Sequence, residues 1–182
     1  MDAANLLIAK AAEGNSMACS AIYYQHKDKI FNTILYLVHN FEDAEDILQE
    51  TFTEVFKSLS NFKRESALQT WIYRIAVNKT IEFIRKKKAK KRWSLLSFSE
   101  VEIVDDISMH PGTRLDKREE AANLYKAINK LKENQRIAFT LFFIEDFSQK
   151  EIAEIMNISL SNVESLVHRA KQFLKKELEK YQ

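Results

Sequence analysis

Apolar residues recur along most of this chain at the three-and-four spacing of amphipathic helices. The spacing predicts a short helix over Asn5 to Ala12, ending near Gly14, and a longer one from Met17 to about Asn40. The long helix has Ile22, Ile30, Phe31, Ile34, Leu35 and Val38 as its apolar positions. A third helix opens at Phe41 with acids in its first turn, where the helix dipole favours them, and buries Ala44, Leu48, Phe52, Val55, Phe56 and Leu59. Ser60 to Arg64 breaks the pattern, and Glu65 or Ser66 starts a fourth helix running to about Arg92. From Ser94 to Thr113 the period fails, and the stretch contains the single proline beside a glycine, with scattered Ser and Asp. Helical periodicity resumes at about Leu115, with breaks near Asn134 and Phe147. The expected architecture is all-α: two small helical domains, residues 1–93 and 115–182, joined by an irregular acidic linker over residues 94–114.

The segment from Ser148 to Lys171, SQKEIAEIMNISLSNVESLVHRAK, has the form of a helix-turn-helix. Ser148 and Glu151 make the S-x-x-E pattern of a capping box. Ala153 is small where a second helix must cross, and Asn157 falls at the turn, where a left-handed residue is needed and Asn is tolerated. Ser159 or Ser161 caps the second helix, and Ser161 has Glu164 three residues on. Val163, Leu166, Val167, Ala170 and Leu174 fall on one side of that helix. Ser161, Ser165, His168, Arg169 and Gln172 fall on the other, a set of donors and acceptors suited to base edges in a major groove. The competing reading is an ordinary surface helix.

Composition supports the helical pattern and narrows the function. Two glycines and one proline in 182 residues are too few for the turns of a strand-rich fold. A single cysteine, Cys19, excludes an internal disulfide, fits a reducing compartment and reads as core filler. No basic region followed by a long apolar run opens the chain, and no apolar stretch is long enough to span a bilayer, so a cytoplasmic protein without membrane insertion is expected. His26, His39, His110 and His168 are scattered, with no metal-ligand spacing, and two glycines cannot build a phosphate loop. No catalytic residue, metal or cofactor is expected, and the chain does not read as an enzyme.

Net charge is only +2, but its distribution is blocked. Glu42 to Glu54 holds six acids and no base, Arg85 to Arg92 holds seven bases in eight positions, and Ser94 to Thr113 holds four acids without Lys or Arg. Such blocks suggest separate surfaces for separate partners. Opposite its apolar stripe the third helix shows Asp43, Asp46, Gln49, Glu50 and Glu54, a face suited to a basic protein partner, though charged faces are also the default of solvated helices. On the fourth helix, Leu68, Ile72, Ile75, Ala76 and Phe83 make a buried stripe, while Trp71, Arg74, Asn78 and Arg85 share a flank. An aromatic beside an amide and guanidinium groups suits unstacked bases, and plain core packing is the competing reading for Trp71. Lys86, Lys87 and Lys88, with Lys90, Lys91 and Arg92, supply phosphate neutralisation that is independent of sequence.

Taken in order, DAEDILQETF, TWIYRIAVNKTIEFIRK and the carboxy-terminal helix-turn-helix resemble the extracytoplasmic-function group of bacterial sigma-70 family RNA polymerase sigma factors. The likeness covers almost the whole chain. It implies that Asp43, Asp46, Gln49 and Glu50 dock on the β′ clamp helices of core RNA polymerase. It implies that Phe62 and its loop to Gln69, with Trp71, Arg74 and Asn78, engage the promoter minus-ten element. Arg85, Lys86, Lys87 and Lys88 would hold the adjoining duplex. The second domain would read the minus-thirty-five element through Ser161, Asn162, Glu164, Ser165, His168, Arg169 and Gln172 while resting on the β flap. Members of the group are commonly held by an anti-sigma factor, and in relatives the linker passes toward the RNA exit path. Glu164 and Leu166 stand where basic residues are frequent on the reading helix; Glu164 repels phosphate yet can accept from a cytosine amino group. The alternative function is a free-standing helix-turn-helix regulator, which has no need of the acidic face or of Trp71 and Asn78.

Overall fold

The computed structural model describes residues 3–94, 124 and 126–181, with side chains to Lys90 in the first stretch and to Lys180 in the last. Every regular element among the described residues is helical, so the fold class is all-α. The chain divides into two compact units, Met1–Ile103 and Val104–Gln182. The expected linker, from residue 95 on, lies outside the described residues, as does the start of the helix expected at Leu115.

The first unit contains α1 (Ala3–Ala12), α2 (Ser16–Val38), α3 (Phe41–Ser58), a 3-10 turn (Leu59–Asn61) and α4 (Leu68–Ser94). Local chemistry sets these bounds. Asn15 caps α2, its side-chain oxygen accepting from the Ala18 amide at 3.0 Å. α2 stops at Val38, two residues before the periodicity suggests, because His39 turns left-handed (φ 58°) and Asn40 serves as the cap of α3. The Asn40 side chain accepts from the Asp43 amide at 2.8 Å. α4 begins at Leu68 rather than at Glu65 or Ser66, which form a bend directly after Arg64 at φ 59°.

α2, α3 and α4 pack on one another, and α1 lies against α2 and the 3-10 turn. Ile22, Ile30, Ile34, Ile47, Val55, Ile72, Tyr73 and Val77 are fully buried between them. Each such side chain contributes about 1.5–3 kcal/mol by leaving water. α4 is covered on more than one side, with Trp71, Ile72, Tyr73, Ala76 and Val77 all buried. Thr33, Thr51 and Thr80 are also buried, where periodicity alone does not look for polar groups. Their hydroxyls donate to the carbonyls of Lys29, Ile47 and Ala76 at 2.7–2.9 Å, so none is left without a partner.

In the second unit a helical turn at residues 126–129 leads to α5 (Glu133–Phe143), α6 (Gln149–Met156), α7 (Leu160–Leu178) and a 3-10 turn (Glu179–Tyr181). The break expected near Asn134 falls at Lys130 to Lys132. Ile137, Leu141, Ile152, Ile155 and Val163 fill the space between α5, α6 and α7. Ala127, Ile128 and Leu131 meet Ala170 and Leu174, with Phe139, Phe173 and Leu178 packed around them. Glu177 is buried at this end and is held by Lys130 and by Lys180, the latter at 2.6 Å. These two hydrogen bonds, Lys130 first, hold its carboxyl below the ordinary value of 4.5.

Candidate nucleic-acid and protein interfaces

α3 is divided lengthwise. Ala44, Ile47, Leu48, Thr51, Phe52 and Val55 enter the core, which turns Asp46, Gln49 and Glu50 outward and leaves Asp43 half-buried. The acidic face expected from the sequence therefore exists as one surface. It does not stand apart from the basic run. Lys87 Nζ meets Asp43 Oδ2 at 2.5 Å, and Lys79 Nζ lies 3.9 Å from Glu50 Oε2, both pairs bridging α4 to α3. The charge blocks that look like separate surfaces in the sequence share an edge in the fold, because α4 packs along α3. Lys79 carried no expectation; its place seven residues before Lys86 was the available signal.

The flank of α4 is sorted by depth. Arg74, Asn78, Arg85, Lys86, Lys87 and Lys88 are exposed. Trp71 is not: it is 8% exposed, and its ring packs on that of half-buried Phe62, with centroids 5.1 Å apart and planes at 42°. The indole thus joins the loop to the helix, while the Arg74 guanidinium one turn on and the Asn78 amide two turns on face water. Within the basic run Lys86 bonds Glu82 at 2.8 Å along the helix. That hydrogen bond raises the affinity of Lys86 for its proton and lowers that of Glu82. Lys87 also lies 5.6 Å from the Phe83 ring centre. Lys91 and Arg92 lie outside the described side chains.

The helix-turn-helix is built as its sequence predicts. Ser148 and Glu151 make both arms of the capping box on α6, with the Ser148 amide donating to the Glu151 carboxylate at 2.9 Å. Asn157 adopts the left-handed turn conformation (φ 51°). Of the two candidate caps on α7 the structure selects Ser159, whose hydroxyl accepts from the Asn162 amide at 3.3 Å. Val163, Val167, Ala170 and Leu174 are buried; Leu166 is only half-buried. That anchoring leaves Ser161, Asn162, Glu164, Ser165, His168, Arg169 and Gln172 exposed together. The Gln172 amide contacts His168 Nε2 at 2.8 Å, one turn apart. Beside this face Phe142, Phe143 and Gln149 form a cleft of about 570 Å³ with Glu164, Ser165, Val167, His168 and Lys171. Periodicity alone does not single out Phe142, Phe143, Gln149 or Lys171 as surface-forming residues. Two consecutive phenylalanines at the end of an amphipathic helix cannot both point inward, which was the legible sign.

Among the described residues no group of three His, Cys, Asp or Glu side chains is placed to hold a metal ion, and no helix is long and apolar enough to cross a membrane.

The first unit thus carries an acidic helix packed against an aromatic-basic helix, and the second unit carries a helix-turn-helix. Residues 22–90 match the Sigma-70 region 2 family, and residues 121–174 match Sigma-70 region 4. The ECF RNA polymerase sigma factor SigW of Bacillus subtilis is 31% identical over 179 residues, covering 94% of this chain and 94% of that protein. The RNA polymerase sigma-H factor of Pseudomonas aeruginosa is 28% identical over 179 residues, covering 95% of this chain and 92% of its own. In fold, the chain resembles the sigma factor RpoE of Bartonella quintana, solved in complex with the anti-sigma factor NepR, at a TM-score of 0.72 and 24% identity over 88% of this chain and 96% of that one. The chain belongs to the ECF group of RNA polymerase sigma factors. It is a factor that joins core RNA polymerase to promoter DNA.

Proposed function

We propose a division of labour within that activity. Asp43, Asp46, Gln49 and Glu50 on α3 dock on basic side chains of the polymerase β′ clamp helices. Phe62 and its loop, with Arg74 and Asn78, hold the minus-ten element, and Trp71 fixes the loop against α4 from beneath. Arg85, Lys86, Lys87 and Lys88 neutralise phosphates of the adjoining duplex. The exposed face of α7 reads the minus-thirty-five element while its unit rests on the β flap. The protein itself hydrolyses nothing; strand opening is driven by binding energy, in the cytoplasm, where polymerase and chromosome meet. Residues 1–93 serve as the polymerase and minus-ten domain, 115–182 as the minus-thirty-five domain, and 94–114 as the connection. As RpoE of Bartonella quintana is solved with an anti-sigma factor, a protein antagonist is expected here.

The observation that carries this reading is the face of α3, where Asp46, Gln49 and Glu50 stand in water on a helix whose other side is core. A regulator acting alone on operator DNA gains nothing from such a face. The test is reconstitution. The purified chain is expected to co-elute with core polymerase and to support run-off transcription from selected genomic promoters. An Asp46→Asn, Glu50→Gln variant is expected to lose core binding while still folding. Normal core binding by that variant would remove α3 from the docking role.

A further inference from the structure

Two acids of the docking face have lysine neighbours in the free chain, one in a hydrogen-bonded pair and one at the edge of ion-pair distance. Asp43 holds Lys87 at 2.5 Å, and Glu50 lies 3.9 Å from Lys79. Lys87 belongs to the phosphate-neutralising run, so one lysine is claimed from two sides: by a carboxylate of its own protein and by DNA. Asp43 is likewise claimed by Lys87 and by a basic polymerase surface. Each pair joins an exposed partner, Lys87 at 62% and Glu50 at 68%, to a half-buried one, Asp43 at 21% and Lys79 at 28%, so water reaches both pairs.

We propose that the Asp43–Lys87 and Glu50–Lys79 ion pairs form a charge clasp that couples polymerase docking to DNA binding. In the free chain the clasp masks part of the docking face and part of the cationic run together. When basic side chains of the polymerase engage Asp43 and Glu50, Lys87 and Lys79 are released toward phosphate, so each ligand strengthens the other. Linkage requires the coupling to be reciprocal: whatever factor polymerase adds to DNA affinity, DNA adds to polymerase affinity. The clasp rests on the docking role of α3 proposed above, and it regulates that site.

The size of the effect follows from the exposure of the pairs. One exposed ion pair changes an equilibrium by about two- to fivefold, and the change shrinks as salt screens it. The experiment uses the full chain, a fluorescent duplex and core polymerase, with Asp43→Asn, Lys87→Gln, the double variant and Asp46→Asn. Asp46 lies on the same helix face and forms no ion pair among the described residues, so it controls for removing one negative charge. Asp43→Asn is expected to raise the affinity of the free chain for duplex about two- to fivefold more than Asp46→Asn does, and to steepen the salt slope by about 0.9, one phosphate contact. Lys87→Gln is expected to tighten core binding by a similar factor and to do nothing further once residue 43 is Asn. If Asp43→Asn weakens core binding yet matches Asp46→Asn on DNA, the docking role stands and the clasp falls. If neither acid affects core binding, the docking reading itself is wrong and the clasp goes with it. A Lys87→Arg variant that keeps wild-type values in both assays shows that charge, not lost folding, produces the changes; loss of helicity in any variant is read separately by circular dichroism.

Discussion

At the scale of single residues, depth separates Trp71 from Asn78 most cleanly. Both sit on one flank of α4, and the sequence cannot rank them by depth. The structure can: Trp71 is buried on Phe62, and Asn78 is exposed. Trp71→Ala is therefore expected to cost about 3–5 kcal/mol of stability in the first unit, as large core truncations do. Asn78→Ala is expected to change stability by less than about 0.5 kcal/mol, the usual range for a surface site, while impairing strand opening at intact core affinity. Urea titration with abortive-transcription assays checks both, and a large stability loss for Asn78→Ala would return it to the scaffold. Trp71 shows what patterning misses, because periodicity gives the direction of a side chain but not whether a loop folds over it.

Buried ionisable groups give this scale a second prediction. His26 is buried, and burial, then the nearby Lys29 charge, lowers its affinity for a proton below the ordinary 6.5. The unfolded chain thus binds more protons than the folded one just below that value, so stability is full above 6.5 and falls as pH drops through the folded value. Glu177 has a depressed carboxyl value, so its stabilisation is present above 4.5 and is lost as pH falls through the folded value. Acid titration of melting temperature should show an earlier loss that His26→Gln removes and a later one that Glu177→Gln removes. Unchanged curves for either variant would mean that the group titrates alike in both states.

At the scale of elements, the chain's own signals were strongest where side chains close backbone hydrogen bonds. The capping box of Ser148 and Glu151 and the turn at Asn157 were readable letter by letter, since each solves a local geometric problem with a residue type that few others replace. The starts of α4 and α5 were not, because Arg64 takes a left-handed conformation without being Gly, Asn or Asp, and Lys132 precedes α5 with no side-chain cap. The acidic and aromatic-basic faces were legible as compositions, but their shared edge was not, since charge blocks separated by 44 positions meet only through the packing of α3 on α4. The cap supplies the test at this scale. Ser148→Ala is expected to destabilise the second unit by about 1 kcal/mol, and Ser159→Ala by a similar amount. If α6 and α7 carry the reading face, as proposed, both variants weaken minus-thirty-five duplex binding mainly through the folded fraction. Stabilising osmolyte is expected to restore that binding. An affinity loss that persists when the unit is fully folded would place the serine hydroxyl on the DNA.

For the whole molecule, the decisive property is that each unit closes its own core. Ile47 is 2% exposed among α2, α3 and α4, and Ile152 is fully buried among α5, α6 and α7. Truncating either to Ala removes about 2–5 kcal/mol from the unit that contains it. If the units fold independently, Ile152→Ala lowers one unfolding transition and leaves the other in place, and the two truncations add within about 0.5 kcal/mol. Function should not divide so simply. If both units grip one polymerase–promoter complex, as proposed, losing one grip removes the local concentration it provides to the other, and the penalty on initiation exceeds that on either isolated contact. Ile152→Ala is therefore expected to retain core binding through α3 yet lose initiation most at promoters with strong minus-thirty-five elements and weak minus-ten elements. Promoters of the opposite kind should be nearly spared. Equal loss at both kinds would mean that the second unit acts through the assembly of the polymerase complex rather than through the DNA it reads.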